Sequence, residues 1–306
     1  MKPFISIVSP VYNEAPILRK FIEQIIYEID ILKVSYEVIL VNDGSNDKTL
    51  DLMFQLAEEN PRIIGINFSK NFGQHAAIRA GLEKSSGMYT VVMDGDLQDD
   101  PGALHSLLKR IELGFDIVFV ARLKRKNSKV YKFLQFVFYL FLNKLSDLTF
   151  DPRIGNFSII SERVRDAYKD LNGSIKYYPA ALNWLGFSSS TIEFEQRYRG
   201  VGSRSKYTFG KLIKLALDVI ISHSRKPLRL AVITGVVMAS IGFILGFIVL
   251  WLYLENNLSQ PGWASLFVAI ISLSGIQLLT LGIFGLYLGE ISKLAQSKPQ
   301  YVILKN

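Results

Sequence analysis

The chain has 306 residues, with 35 Lys+Arg against 27 Asp+Glu, a net charge of +8 and no cysteine. The missing cysteine excludes a disulfide scaffold, a zinc–thiolate site and a cysteine nucleophile, and an apolar content of 49% excludes a disordered chain. The charge is split by region: residues 1–120 hold 11 basic and 17 acidic residues, residues 121–226 hold 20 and 8, and the last 80 hold 4 and 2.

In chain order, the acidic third alternates short apolar runs with helical patterns. Phe4–Ser9, Tyr36–Val41, Arg62–Asn67, Met88–Met93 and Asp116–Ala121 read as buried strands, and Ala15–Ile29 and Thr49–Glu59 as two of the helices between them. That alternation predicts an α/β domain with a mostly parallel, doubly wound, Rossmann-like sheet. Ligands in such sheets sit at the carboxyl ends of the strands.

The basic third opens with Arg122, Lys124, Arg125, Lys126 and Lys129, followed by the aromatic-rich run Val130–Leu145. This run is too short and too closely flanked by lysine to span a membrane. It reads as an interfacial amphipathic helix at about 130–145, with an ordinary buried helix as the alternative. A second interfacial candidate covers 207–223, where Leu212, Ile213, Ala216, Ile220 and Ile221 form one apolar stripe. Basic residues here answer either to anionic lipid, at about 1 kcal/mol each, or to phosphate groups of substrates. Nucleic acid is the rival for a basic stretch, and the acidic first third and apolar tail argue against it.

The tail then has 25 uncharged residues from Leu230 to Leu254 and 34 more between Glu255 and Glu290. A span needs about 20 apolar residues, so a two-helix transmembrane hairpin is expected within 227–290, with helices at about 229–254 and 264–289. Arg225, Lys226 and Arg229 precede it and Lys293, Lys298 and Lys305 follow, which predicts both termini on the cytoplasmic side of the inner (plasma) membrane. Met1 leads into a strand pattern, so no signal peptide is expected. Residues 1–226 then form the cytosolic domain and 291–306 a cytosolic tail, in which Gln300–Leu304 is strand-like and open to packing on a neighbour.

Three of the predicted strand ends deliver acidic residues. Pro10-Val11-Tyr12-Asn13-Glu14 follows the first, Asn42-Asp43-Gly44-Ser45 the second and Asp94-Gly95-Asp96-Leu97-Gln98 the fourth. No glycine-rich dinucleotide or P-loop fingerprint occurs, which removes the main support for an oxidoreductase or an NTPase. Asp94 and Asp96 repel one another unless a cation lies between them, and hard oxygen ligands suit Mg²⁺ or Mn²⁺ on a diphosphate. The alternative is that Asp-Gly-Asp is turn chemistry alone. Asp43 suits hydrogen bonds to a base or ribose, and Tyr12 stacking on a base.

These motifs, with Asn71-Phe72-Gly73-Gln74 between them, resemble inverting glycosyltransferase family 2. Followed by two spans, they resemble its polyprenyl-phosphate glycosyltransferases of the bactoprenol glucosyltransferase type, related to dolichol-phosphate mannose synthase. The resemblance implies a GT-A fold, a nucleotide-sugar donor (a UDP-sugar by preference), Mg²⁺ or Mn²⁺, an undecaprenyl- or dolichyl-phosphate acceptor, a lipid bilayer as partner and a homotetramer. It assigns Pro10, Tyr12, Glu14 and Asp43 to the nucleoside and Asp94, Asp96 and Gln98 to the metal. Arg122, Arg125, Arg199, Arg204, Ser205 and Lys206 fall to the phosphates, although two extra residues before Ser205-Lys206-Tyr207 interrupt the family's pattern there.

One departure bears on mechanism. Many members have Asp, the proposed catalytic base, where this chain has Asn156. An amide accepts no proton at neutral pH. A phosphate monoester, with its second pKa near 6, is already mostly dianionic at pH 7 and needs no base, whereas a sugar hydroxyl does. Asn156 therefore favours a phosphate acceptor, with Asp151 as the fallback base. The rival readings are a transferase of the same family with another acceptor, and a non-catalytic membrane scaffold that retains the fold. A processive synthase would need more spans and a Q-x-x-R-W segment, which Leu182-Asn183-Trp184-Leu185 does not supply.

Overall fold

The computed structural model describes residues 2–122, 151, 153–171, 177–194, 226–255, 262–295 and 299–304. Both expected interfacial helices and the basic stretch around Arg199–Lys206 lie outside the described residues. By internal contacts the chain divides into two units: Met1–Tyr139, Leu148–Thr208 and Pro299–Asn306 form one, and Leu140–Asp147 with Phe209–Lys298 the other.

The first unit contains β1 (Ile5–Val11), α1 (Ala15–Leu32), β2 (Tyr36–Asn42), α2 (Thr49–Glu59), β3 (Ile63–Asn67), α3 (Gln74–Lys84), β4 (Tyr89–Val92), α4 (Ala103–Ile111), β5 (Ile117–Arg122), β6 (Ile154–Ser161), α5 (Glu162–Asp170), α6 (Tyr178–Leu185) and β7 (Ser189–Phe194). The seven strands form one sheet in the order β3-β2-β1-β4-β6-β5-β7. The five expected strands are present to within two residues at their ends. β6, β7, α5 and α6 are additions that no apolar run had announced.

β1 pairs in parallel with both β2 and β4, β2 with β3, and β5 with β7. β6 is the exception and lies antiparallel between β4 and β5. The sheet is therefore mixed. The strand order reverses at β1, whose successors fall on opposite sides, and a crevice opens at such a point beyond the carboxyl ends.

Period-two alternation explains the layering. Ile5, Ile7, Val38, Leu40, Val91 and Val118 face Phe21, Ile25 and Ile29 of α1, Met53 of α2 and Leu104 and Leu107 of α4. Val8, Ile39, Val41, Val92, Ile117 and Phe119 face Ile78 and Leu82 of α3, Val164 and Tyr168 of α5 and Tyr178 of α6. Both sheet faces are covered, so the strands read as continuous apolar runs rather than alternating ones.

The second unit contains two long helices, α7 (Lys226–Leu254, 29 residues) and α8 (Trp263–Ala295, 33 residues). At 1.5 Å per residue they extend about 43 and 50 Å. Val232, Phe247 and Leu278 are among many large apolar side chains exposed on them. Among the described residues no helix is long and apolar enough to cross a membrane.

Candidate active site

The carboxyl ends of β2, β1 and β4 lie side by side, and their loops are joined by hydrogen bonds. Asn13, in the left-handed region at φ 56°, donates its backbone N–H to Ser45 Oγ at 2.9 Å and accepts from the Asn46 N–H at 2.9 Å. The Glu14 N–H donates to Thr49 Oγ1 at 2.9 Å, and the Asp43 N–H to the Val11 carbonyl at 3.0 Å. Pro10 is register partner to Val41 inside the sheet, and Tyr12 stands half-buried just beyond β1. The four residues assigned to a nucleoside, Pro10, Tyr12, Glu14 and Asp43, thus do come together on one edge.

Asp43 is buried and already engaged. Its carboxylate accepts the Phe72 N–H at 2.7 Å and the Gly73 N–H at 3.0 Å. Burial outweighs these two bonds and pushes its pKa above the usual carboxylate value. The neighbouring turn is tight: a Cβ on Gly44 (φ +66°) would lie 2.4 Å from the Lys70 carbonyl carbon. Asp43 therefore fixes the β3–α3 loop, and any contact with a nucleoside is additional to that task.

That loop delivers Gln74 at the start of α3, where its Nε2 donates to Asp94 Oδ1 at 2.6 Å. From the other side Asn156 Nδ2 donates to the same oxygen at 3.3 Å. The antiparallel insertion of β6 explains this contact. Val92 pairs with Ser158, and running that register two residues onward brings position 156 opposite position 94.

Gly95 lets the acidic turn sit against β1, since a Cβ there would be 2.8 Å from Val11 Cγ1 and 3.3 Å from the Pro10 carbonyl oxygen. Asp96 accepts from the Gln98 N–H at 3.1 Å, an Asx turn, and from Gln98 Nε2. Leu97 completes the turn at φ 57°.

Asp94 and Asp96 are one residue apart and ringed by the carboxamides of Gln74, Gln98 and Asn156. A carboxamide offers its oxygen after rotation by 180°, so the donor set is hard oxygen and suits Mg²⁺ or Mn²⁺. Among the described residues no group of three or more His, Cys, Asp or Glu is placed to hold a metal. A cation here would take few protein ligands and complete its shell from phosphate and water, as Mg²⁺ commonly does.

The fallback base does not fit its role. Asp151 is paired with Arg153, whose Nη2 lies at 2.8 Å, and that bond holds its carboxyl below the usual range. The salt-bridged anion is a poor proton acceptor, and Arg153 also reaches Glu193 at 3.0 Å. His75 is engaged by α6 and the residue before it: its Nδ1 accepts weakly from the Tyr178 N–H at 3.5 Å, and its ring lies edge-on to Tyr177. Burial pushes His75 down to about 4, so the ring is neutral at pH 7.

Of the residues assigned to phosphates, Arg122 ends β5 in register with Phe194, and its side chain is outside the described residues. Arg125, Arg199, Arg204, Ser205 and Lys206 lie outside them altogether. Sequence reasoning gave no role to Gln74, which donates to Asp94 at 2.6 Å. Its signal was present, a carboxamide at the first position of a helix, closing the Asn71-Phe72-Gly73-Gln74 motif.

The model of the family described as "Glycosyl transferase family 2" matches residues 6–184. The chain is 35% identical over 302 residues to the Bacillus subtilis "Uncharacterized glycosyltransferase YkcC", covering 98% of this chain and 93% of that one. It is 31% identical over 313 residues to the "Bactoprenol glucosyl transferase" of Shigella phage SfII, covering 99% and 98%. Among solved structures, the mannosyltransferase PcManGT from Pyrobaculum calidifontis, in complex with GDP-Man and Mn²⁺, shares 16% identity. That match covers 97% of this chain and 89% of the other at a TM-score of 0.49.

Proposed function

The chain belongs to glycosyl transferase family 2 and is a glycosyltransferase with a mixed-sheet, GT-A-like fold, and from that premise we propose that it moves a sugar from a nucleotide-sugar donor to a polyprenyl phosphate. The observation that carries the proposal is Asp94, held between Gln74 and Asn156 at the point where the strand order reverses. A carboxamide stands where a hydroxyl acceptor would require a base. The relative from phage SfII, matched over nearly the whole chain, is named for transfer to bactoprenol, which agrees with a lipid phosphate.

In this reading the acceptor phosphate, already dianionic at neutral pH, attacks the anomeric carbon from the face opposite the leaving group. The bond to the nucleoside diphosphate breaks with its electron pair, and the configuration inverts. Asp94, Asp96 and Gln98 would hold Mg²⁺ or Mn²⁺, which would supply Lewis-acid neutralisation of the diphosphate. Asn156 and Gln74 orient Asp94 and shuttle no proton. Pro10, Tyr12, Glu14 and Asp43 line the nucleoside side, and the basic stretch from Arg122 to Lys206 meets phosphate and lipid.

We place α7 and α8 in the plasma membrane as a hairpin with both chain ends cytoplasmic. The support is the sequence, with uncharged runs of 25 and 34 residues bounded by basic flanks. The acceptor's phosphate then lies on the cytoplasmic leaflet, within reach of residues 1–226.

The test is incubation of membranes containing the full-length protein with radiolabelled nucleotide sugars and undecaprenyl phosphate. Label extractable into organic solvent, dependent on the lipid phosphate and abolished by EDTA, is expected for one donor. No such label with UDP- or GDP-sugars, or label that persists at full rate in EDTA, would overturn the proposal.

A further inference from the structure

The end of the chain touches the loop that builds the site. The Leu304 N–H donates to the Asn67 carbonyl at 2.9 Å and the Ser69 N–H to the Val302 carbonyl at 3.0 Å, an antiparallel bridge between Phe68 and Ile303. β3 is the edge strand of the sheet, so residues 302–304 supply backbone partners where β3 ends. The segment expected to be open to a neighbour is thus bound to its own chain.

Two aromatic contacts extend this grip. The Tyr301 ring stacks on Phe68, with centroids 4.9 Å apart and planes 14° from parallel. Phe68 in turn meets Phe72 edge-on at 5.7 Å. Phe72 and Gly73 present the two N–H groups bound by Asp43, and the next residue, Gln74, holds Asp94. The Tyr301 hydroxyl also donates to Glu83 of α3, which pairs with the buried Arg79 at 2.8 Å. Tyr301 therefore holds both the strand before the loop and the helix after it.

We propose that Tyr301–Leu304 is a positioning element of the active site, with Tyr301 as its anchor. Its task is to hold residues 68–74 so that the Phe72 and Gly73 amides stay on Asp43 and Gln74 stays on Asp94. The effect on the donor rests on the reading of Asp43 and Asp94 as donor-site residues, whereas the grip on residues 68–74 is independent of it. Tyr301 touches no reacting atom, and its effect passes through Phe68 and Phe72.

Two readouts on the full-length protein separate the grip from its effect on the donor. Amide hydrogen exchange in Tyr301→Ala, and in a chain ending at Gln300, is expected to quicken at Phe72 and Gly73 while β1 and β2 keep their protection. The donor KM for sugar transfer is expected to rise by roughly tenfold to a hundredfold, the upper figure being the cost of a 1 Å misplacement. Tyr301→Phe retains the ring stack and is expected to recover most of that loss.

Unchanged exchange at Phe72 and Gly73 would overturn the positioning role. Exchange that quickens equally in β1 and β2 would do the same, because it would mean general destabilisation. Quickened exchange at the loop with an unchanged donor KM would sever the link to the donor site. If the wild type itself transfers no sugar, binding of a nucleoside diphosphate replaces KM. Failure of the functional reading then leaves the exchange result intact.

Discussion

Asn156 and Asp94 meet across 3.3 Å because β6 runs against β4 rather than with it. The amide donates to a carboxylate oxygen that also accepts from Gln74. A donor at this position steadies the anion and takes up no proton. The contact gives Asn156 a positioning role that requires no proton transfer.

Asn156→Ala should lower turnover about 10- to 150-fold, since a hydrogen bond to a charged group is worth about 1.5–3 kcal/mol when removed. The pH–rate profile should keep its shape, because no titrating group is lost. The check is the rate of lipid-linked product between pH 5.5 and 8.5 for both proteins. A wild-type profile requiring a group of pKa well above 6 in its basic form would contradict a reaction without a base.

Asp94→Asn and Asp96→Asn should each cost about 10²- to 10³-fold in turnover, the loss found when one preorganised electrostatic contact is removed. Gln74→Ala should cost less, because Asn156 still holds Asp94. Initial rates at several Mn²⁺ concentrations would check the order. Equal losses in all three variants would show that the carboxylates play no special part.

The two left-handed glycines around the β3–α3 loop should differ in their tolerance of a methyl group. At Gly73 (φ +99°) nothing lies within 4 Å of an added Cβ, so Gly73→Ala carries backbone strain alone, about 1–3 kcal/mol. At Gly44 the same Cβ meets the backbone of Lys70 and Asn71 at 2.4–2.8 Å. Overpacking adds about 1–3 kcal/mol to the strain there. Thermal midpoints should fall by about 2–4 °C per kcal/mol for a domain of this size, and further for Gly44→Ala.

His75 should make the protein acid-sensitive. Its folded pKa of about 4 lies below the ordinary 6.5, so the unfolded ring binds a proton in a range where the folded ring stays neutral. The stability this contributes is whole above about pH 6.5 and is lost as the pH falls towards 4, by at most roughly 3 kcal/mol. Urea midpoints from pH 7 to 4.5 should fall more steeply for the wild type than for His75→Phe. Identical slopes would place the ring in solvent.

Much of this protein was legible in its residue order. The five apolar runs became β1 to β5 because a parallel strand covered on both faces must be apolar along its whole length. Asp43, Asp94 and Asp96 could be placed at one edge because parallel strands put their carboxyl ends there. The Asn-Phe-Gly-Gln motif marked the loop, though not its work. β6 was not legible: Ile154–Ser161 follows a long intervening segment, and nothing local states that it inserts antiparallel.

Sequence by itself therefore determined the family, the acidic edge and the two long uncharged runs, since each is written in consecutive residues. Tertiary structure alone decided what those acids touch. Asn156 is 62 residues from Asp94, and Tyr301 is 218 residues from Glu83. Contacts of that span depend on strand direction and edge pairing, which belong to the sheet as a whole and to no local stretch of chain.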